Sequence, residues 1–327
     1  MAELPESETV ADVDHAALEA GYIALDEEVL PPFRPAPGPA AASRRRWAFG
    51  AAAWVLFVAA CYGWFGAHLN PALSLTGLLV GFLVGLTGMG GGALMTPILI
   101  LFFGFSPTMA IGTDVTYAAA TKVFGSWRHW KQGSVDIPLA LWLAVGSVPA
   151  ALLGVGAVNY AKENYADLID GILYRAIGSA LMAVGVLLIV KVVLHIDKKH
   201  RRENIALSRR TKALTIALGA TAGLVIGLTS VGSGTFLGVF LILFYPLATD
   251  RIVGTDVFHA TILLLATSLA YVASGNVDLW MVSALLMGSV PGVLMGSQLT
   301  IRAPSRALRA ILALVLFLSG LALFTRM

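Results

Sequence analysis

Residues 85–97 read GLTGMGGGALMTP, and residues 227–239 read GLTSVGSGTFLGV. The two stretches lie 142 residues apart, and the same offset aligns 81–154 with 223–296 without a gap, with 26 of 74 positions identical. GTDV recurs at Gly112 and Gly254, GSVD at Gly133 returns as GNVD at Gly275, and GSVP recurs at Gly146 and Gly288. The matches fall mostly on Gly, Thr, Asp, Val and Pro, not on the Leu and Ala that any two apolar segments share by chance. Duplication at a fixed offset in an apolar chain is the signature of a transporter built from two half-molecules.

The composition agrees. The 327 residues are 57% hydrophobic and 13% charged, against roughly 25% charged in soluble domains. This is the composition of a polytopic, all-helical membrane protein. Cys61 is the single cysteine, so no intrachain disulfide framework exists. The net charge of +3 conceals a split. Residues 1–43 carry nine acids (Glu3, Glu6, Glu8, Asp12, Asp14, Glu19, Asp26, Glu27 and Glu28) against the single base Arg34, which leaves 21 bases and ten acids for the remainder. In a membrane protein such an excess orients the chain and meets anionic headgroups, and it does not call for nucleic acid. The acidic segment, with its Pro/Ala-rich end 31–43, reads as a cytoplasmic tail and linker that a soluble partner can reach.

A spanning helix needs about 20 apolar residues. Full spans are predicted at 47–66, 107–130, 137–158, 172–195, 252–274, 279–300 and 307–325, the first being an addition ahead of the duplication. Residues 72–105 and 212–247 are too long for one span and short for two, and each is interrupted by glycines or serines. Each reads as a broken hairpin, which is tolerated at membrane depth only where protein or a polar cavity surrounds it. Arg44–Arg46, the basic loop 196–212, the turn at Arg128 and Lys131, and Arg302, Arg306 and Arg309 mark the cytoplasmic side. Residues 67–71 and 275–278, free of Lys and Arg, and the mildly acidic 159–170 are assigned outside. Each repeat, 71–195 and 213–325, is then a hairpin plus three spans, and the odd number of crossings inverts one copy relative to the other. A hairpin that is one kinked span instead makes the repeats parallel.

Two sets of residues are candidates for chemistry. The glycine turns, Gly88, Gly90, Gly91 and Gly92 with Ser230, Gly232, Ser233 and Gly234, precede new helices whose N-termini offer free backbone N–H groups to an oxyanion. Close helix packing competes as an explanation of these glycines. The GTDV copies place Asp114 and Asp256 within apolar spans, where a carboxylate is costly and is a functional hypothesis by default. Three roles stand open for them: proton handling, a structural role as the cap of the hairpin turn or the partner of Lys122 or His259, and cation coordination. Thr113 and Thr255 stand beside them as hydroxyl donors to an anion or to the carboxylates. Lys122, opposite Leu264 in the other copy, is an anion contact or a side chain that snorkels to the inner surface. His259, opposite Tyr117, is a proton relay or a satisfied core histidine. Asp136 and Asp278 read as turn and N-cap residues. No metal-ligand cluster, cofactor motif, nucleotide loop or nucleophile–base pair stands out, so neither an enzyme nor an ATP-driven pump is expected.

The run Gly85–Pro97, with its GxGGGxxxxP pattern, resembles the TauE/SafE family of sulfite exporters, as do Ala110–Thr113, the Lys131–Asp136 turn and Gly146–Pro149. The resemblance covers about 71–325. It implies a duplicated helical membrane domain that moves sulfite, organosulfonates or related small anions without ATP, usually outward, across a bacterial inner membrane. Many relatives carry Thr-Ser where this chain has Thr113-Asp114, a departure that favours a coupling role for the carboxylate. The second copy has Ser233 opposite Gly91 and Val239 opposite Pro97. The expected function is therefore secondary, proton-coupled export of a small oxyanion. The alternatives are a passive anion channel and a membrane assembly factor handling sulfur or metal.

Overall fold

The computed structural model describes residues 70–87, 92–193, 208–232, 234, 236–245, 247–299 and 305–326, together with Trp54, Leu56, Ala59 and Gly63. The expected tail 1–43, nearly all of the span 47–66 and most of the basic loop 196–212 lie outside the described residues. Among the described residues ten helices follow one another: α1 Pro71–Thr87, α2 Gly92–Leu101, α3 Pro107–Lys131, α4 Ile137–Asn164, α5 Ala166–Val193, α6 Arg209–Thr229, α7 Phe236–Phe244, α8 Thr249–Ala273, α9 Leu279–Leu299 and α10 Ser305–Phe324.

The sequence sets these boundaries locally. Asn70 Oδ1 accepts the Ala72 N–H at 2.9 Å and opens α1, Pro107 sits in the first turn of α3, and Ser208 Oγ accepts the Thr211 N–H at the start of α6. Asp136 and Asp278 take the Leu139 and Met281 N–H groups at 3.1 and 3.0 Å, so both are N-caps as expected. Ahead of each cap stands a glycine at φ +69° or +68°, Gly133 or Gly275. At both ends the next residue reaches back five positions, Ser134 N–H to His129 O and Asn276 N–H to Tyr271 O. These are Schellman ends, which need the left-handed conformation glycine supplies. The helix ends obey the repeat: α1 and α6 end at 87 and 229, α3 and α8 run 107–131 and 249–273, and α4 and α9 begin at 137 and 279, each pair 142 apart.

Each hairpin is two helices, not one kinked span. Their second arms, α2 and α7, have 10 and 9 residues, or roughly 15 Å, about half the hydrocarbon thickness. The predicted outer loop 159–170 is corrected. The helix of the fourth element runs on to Asn164 and α5 begins at Ala166, because the Tyr165 carbonyl accepts both the Leu168 and Ile169 N–H groups at 3.0 Å. Among the described residues five helices, α4, α5, α6, α8 and α9, are long and apolar enough to cross a membrane. The helix α3 has the length, but Asp114, Lys122, Arg128 and Lys131 lower its hydropathy.

The packing is reciprocal. Helix α1 runs parallel to α9: added Cβ atoms at Gly77, Gly81 and Gly85 would meet the carbonyls of Leu285, Ser289 and Val293 at 2.2, 2.5 and 2.4 Å. The equivalent glycines of α6, Gly219, Gly223 and Gly227, face Leu143, Ser147 and Ala151 of α4 at 2.3, 2.1 and 2.4 Å. The first helix of each repeat thus lies on the fourth helix of the other. The equivalent pairs α3/α8 and α5/α10 run antiparallel, as Thr116 to Ser268 and Lys122 O to Thr261 show for one, and Gly178 against Gly320 and Gly185 against Ala313 for the other. Between helices in lipid there is no hydrophobic drive, so backbone approach through small residues supplies the association. Gly81 and Gly85 are therefore packing residues, a small-xxx-small pair against α9. Large apolar side chains face outward, among them Leu79, Phe124, Leu153 and Leu269, an exposure that suits lipid and not water. The chain is a multi-pass membrane protein.

Candidate functional site

A polar cluster lies where α3 and α8 cross the hairpins. Asp114 is fully buried. Its Oδ2 accepts two hydroxyls, Thr96 Oγ1 of α2 at 2.5 Å and Ser230 Oγ at 2.9 Å. Ser230 is the C-cap of α6 and sits at φ +61°, a sparsely populated conformation for a non-glycine residue. One carboxylate therefore touches the second arm of the first hairpin and the turn of the second. Its other oxygen, Oδ1, is buried without a hydrogen bond.

Lys122 and Asp256 are both buried. The Lys122 amino group lies within electrostatic reach of Asp256 and Asp114. His259 is buried too, with Nε2 2.7 Å from Ser147 Oγ, and its Nδ1 has no hydrogen bond. Its ring also lies within the field of Lys122. Tyr117, the counterpart of His259 under the repeat, faces Ser289, the counterpart of Ser147. Lys122 is thus held inside and does not snorkel to the surface.

The structure brings together Asp114, Ser230, Lys122, Asp256 and His259, and it separates Thr113 and Thr255 from them. Thr255 Oγ1 accepts the Asp136 N–H at 2.9 Å, and Thr113 Oγ1 accepts the Asp278 N–H at 3.3 Å. Each threonine fastens the α–α loop of the other repeat through its oxygen, which leaves the hydroxyl proton available to donate. Thr255→Val leaves the buried Asp136 N–H unsatisfied, at a cost of about 1–3 kcal/mol. Thr113→Val, at the longer and half-buried bond, costs less. Thermal melting of the two variants ranks them.

The glycine turns are seen in part. Gly88, Gly90, Gly91 and Ser233 lie outside the described residues. Gly92 opens α2. In the second turn Gly232 has φ +101°, which directs its carbonyl onto the start of α7, where it accepts the Gly234 and Phe236 N–H groups at 2.7 and 3.2 Å. The Gly234 N–H, a donor expected to meet an anion, is engaged by this carbonyl. Sequence reasoning missed Thr96 and Ser147. Thr96 was legible as the hydroxyl one turn beyond Gly92. Ser147 was legible as the polar residue kept in both GSVP copies at mid-span.

The family described as "Sulfite exporter TauE/SafE" matches residues 73–323. A protein of Bacillus subtilis (strain 168) named "Probable membrane transporter protein YjnA" is 38% identical over 255 residues, 78% of this chain and 100% of the relative. A second from the same organism, "Probable membrane transporter protein YdhB", is 24% identical over 245 residues, 75% of this chain and 96% of the relative. A "Probable membrane transporter protein" of Haemophilus influenzae is 27% identical over 213 residues, 62% of this chain and 73% of the relative. No solved structure matches. With the match running from the first helix of the first repeat to the last helix of the second, the chain belongs to the sulfite exporter TauE/SafE family of membrane transporters.

Proposed function

We propose that the protein is a secondary transporter that exports a small oxyanion, sulfite or an organosulfonate, with proton coupling. The observation that carries this reading is the set of ionisable side chains, Asp114, Lys122, Asp256 and His259, buried at the junction of the two halves in a chain of this family. Ionisable groups at such a place mark substrate and proton pathways. The antiparallel pairing of α3 with α8 and of α5 with α10 supports opposite orientation of the repeats, 71–195 and 213–325, across the bilayer, since equivalent helices then run in opposite senses. The basic flanks Arg44–Arg46 and 196–212 favour a bacterial inner membrane with a cytoplasmic N-terminus, and leave the acidic tail 1–43 in reach of a soluble partner.

In this reading the oxyanion is drawn by the Lys122 ammonium, and a carboxylate takes up a proton so that the pair crosses without net charge. Purified protein challenged with sulfite, sulfate, thiosulfate, sulfonates and small carboxylates is expected to gain stability with sulfite or a sulfonate, by about 2.7 kcal/mol at a hundredfold excess over Kd. Reconstituted vesicles are then expected to show saturable sulfite counterflow driven by a pH gradient. Absence of a stabilising anion overturns the substrate, and flux that ignores the pH gradient overturns the coupling.

A further inference from the structure

His259 carries a polar atom that the fold does not use. It is 1% exposed, and Ser147 is fully buried. Nε2 lies 2.7 Å from Ser147 Oγ, and Nδ1 has no hydrogen-bond partner among the described residues. The Ser147 hydroxyl makes no other hydrogen bond among them either. Three arrangements of protons fit this one bond. If Ser147 donates to Nε2, the ring proton is on Nδ1, and a single group, that N–H, is unmet. If Nε2–H donates to Oγ, the hydroxyl proton and the Nδ1 lone pair are both unmet. A doubly protonated ring leaves the hydroxyl proton and the Nδ1–H unmet and adds a buried charge. Each buried unmet group is costly, and a charge more so. The first arrangement wastes least, so Ser147 holds the ring as its Nδ1–H tautomer and one donor is left over.

The other repeat fills the same place without that atom. The counterpart of His259 is Tyr117, 1% exposed, and it faces Ser289, the counterpart of Ser147. A phenol meets a serine with its one hydroxyl and has carbon at every ring position. Packing is thus served by an aromatic ring with one polar group, and the second nitrogen of His259 is surplus to it.

The surplus donor stands at mid-membrane, between the halves. Ser147 and His259 are each the eleventh residue of their helices, α4 of the first repeat and α8 of the second, about 15 Å from the helix start. Helices α7 and α8 are consecutive, and a Cβ on Gly238 would lie 3.5 Å from Asp256 Oδ2. Nearer their connection, Leu241, Tyr245 and Ile252 share one core cluster. The two helices are therefore antiparallel, and His259, one turn beyond Asp256, stands level with the first turn of α7. There the Gly232 carbonyl takes the Phe236 N–H, and Leu237 and Gly238 carry the next N–H groups of a helix start, a place that favours an anion.

We infer that His259 is a direct contact of the transported oxyanion, which takes its Nδ1–H at the first turn of α7, and that Ser147 is the positioning residue that keeps the proton on Nδ1. Of the two roles open for His259 in the sequence, proton relay and satisfied core residue, neither fits. A relay needs an onward partner at each nitrogen, and a satisfied residue leaves no donor over. The inference deepens the oxyanion reading and rests on it for the ligand, but not for the tautomer.

Full-length protein labelled with nitrogen-15 histidine tests this. The chain has six histidines, and the His259 signals are those lost in His259→Gln. Without ligand, the spectra are expected to place the proton on Nδ1 in wild type and to show mixed tautomers in Ser147→Ala. A wild-type ring protonated on Nε2, or on both nitrogens, overturns the inference. Added sulfite is expected to shift the Nδ1 resonance. Bound sulfite that leaves Nδ1 unmoved, as when a buried water takes that proton, overturns the contact. Two variants separate contact from packing. His259→Asn puts an amide N–H near the place of Nδ1 and gives up the Ser147 bond, whereas His259→Gln reaches Ser147 and gives up the donor. The Asn variant is expected to melt lower yet bind sulfite within about threefold of wild type, and the Gln variant to melt near wild type yet bind roughly tenfold more weakly. Binding that follows the melting temperature in both variants leaves only a packing role and overturns the contact. If sulfite binds wild type and His259→Gln alike, the contact falls and the oxyanion reading survives. If neither sulfite nor a sulfonate binds wild type, the oxyanion reading falls and takes the contact with it, whatever the tautomer.

Discussion

Gly288→Val is expected to abolish the folded protein, read as loss of the monodisperse species in detergent and of any cooperative melt. A Cβ at 288 would lie 1.7 Å from the Ser74 carbonyl oxygen and 2.7 Å from the Leu78 N. Both are backbone atoms, so no side chain can swing aside and the whole α1–α9 seam must part. The same seam holds the Ser74 hydroxyl on the Ala284 carbonyl at 2.7 Å. Overpacking that cannot relax costs about 3 kcal/mol or more, and in lipid no hydrophobic term offsets lost backbone contact. Gly288→Ala is expected to fall in the same direction. Gly156→Ala is the control: nothing lies within 4 Å of its added Cβ, and a helix gains from Ala over Gly by roughly 0.5–1 kcal/mol. Equal tolerance of the two alanines would overturn the seam.

Lys122→Met is expected to cost both stability and transport. Lys122 is buried within electrostatic reach of Asp256 and Asp114, and removing it leaves these buried carboxylates less compensated, at roughly 3–5 kcal/mol. Adding Asp256→Asn is therefore expected to return most of the melting temperature while leaving sulfite flux down roughly a hundredfold, equivalent to about 2.7 kcal/mol of lost anion binding. Partners coupled in this way give a non-additive double-mutant cycle. Additive melting temperatures would separate Lys122 from Asp256, and recovery of flux in the double variant would remove Lys122 from the anion's path.

The architecture was legible because the repeat is carried by residues with fixed backbone duties. Gly133 and Gly275 end helices, Asp136 and Asp278 begin them, and Gly81 and Gly223 admit a neighbouring backbone, so the predicted starts at 107, 137 and 279 are those of α3, α4 and α9. The loop 159–170 was misread because mild acidity marks an exposed segment, not an unfolded one, and Tyr165 alone breaks the helix. The site was harder. Asp114, Asp256, Lys122 and His259 announce themselves by charge in apolar spans. Thr113 and Thr255 also hold the loops of the opposite repeat, a duty that adjacency to the aspartates along the chain does not reveal, since one position on a helix turns the side chain by about 100°. Thr96 was passed over although it stands one turn beyond Gly92, because its bond to Asp114 joins two helices across a loop.

The exchanged seams bear on how the protein is made. Helix α1 finds its partner only when α9 exists, and the bond from Ser74 to Ala284 spans 210 residues. At ribosomal rates of about 5–20 residues per second, the glycine face of α1 waits about 10–40 s in the bilayer with lipid chains where its partner will sit. The inserted chain must hold its first helix upright and uncommitted through that interval. Maturation is thus limited by late, long-range closure, a step at which insertion factors or membrane thickness can decide the yield.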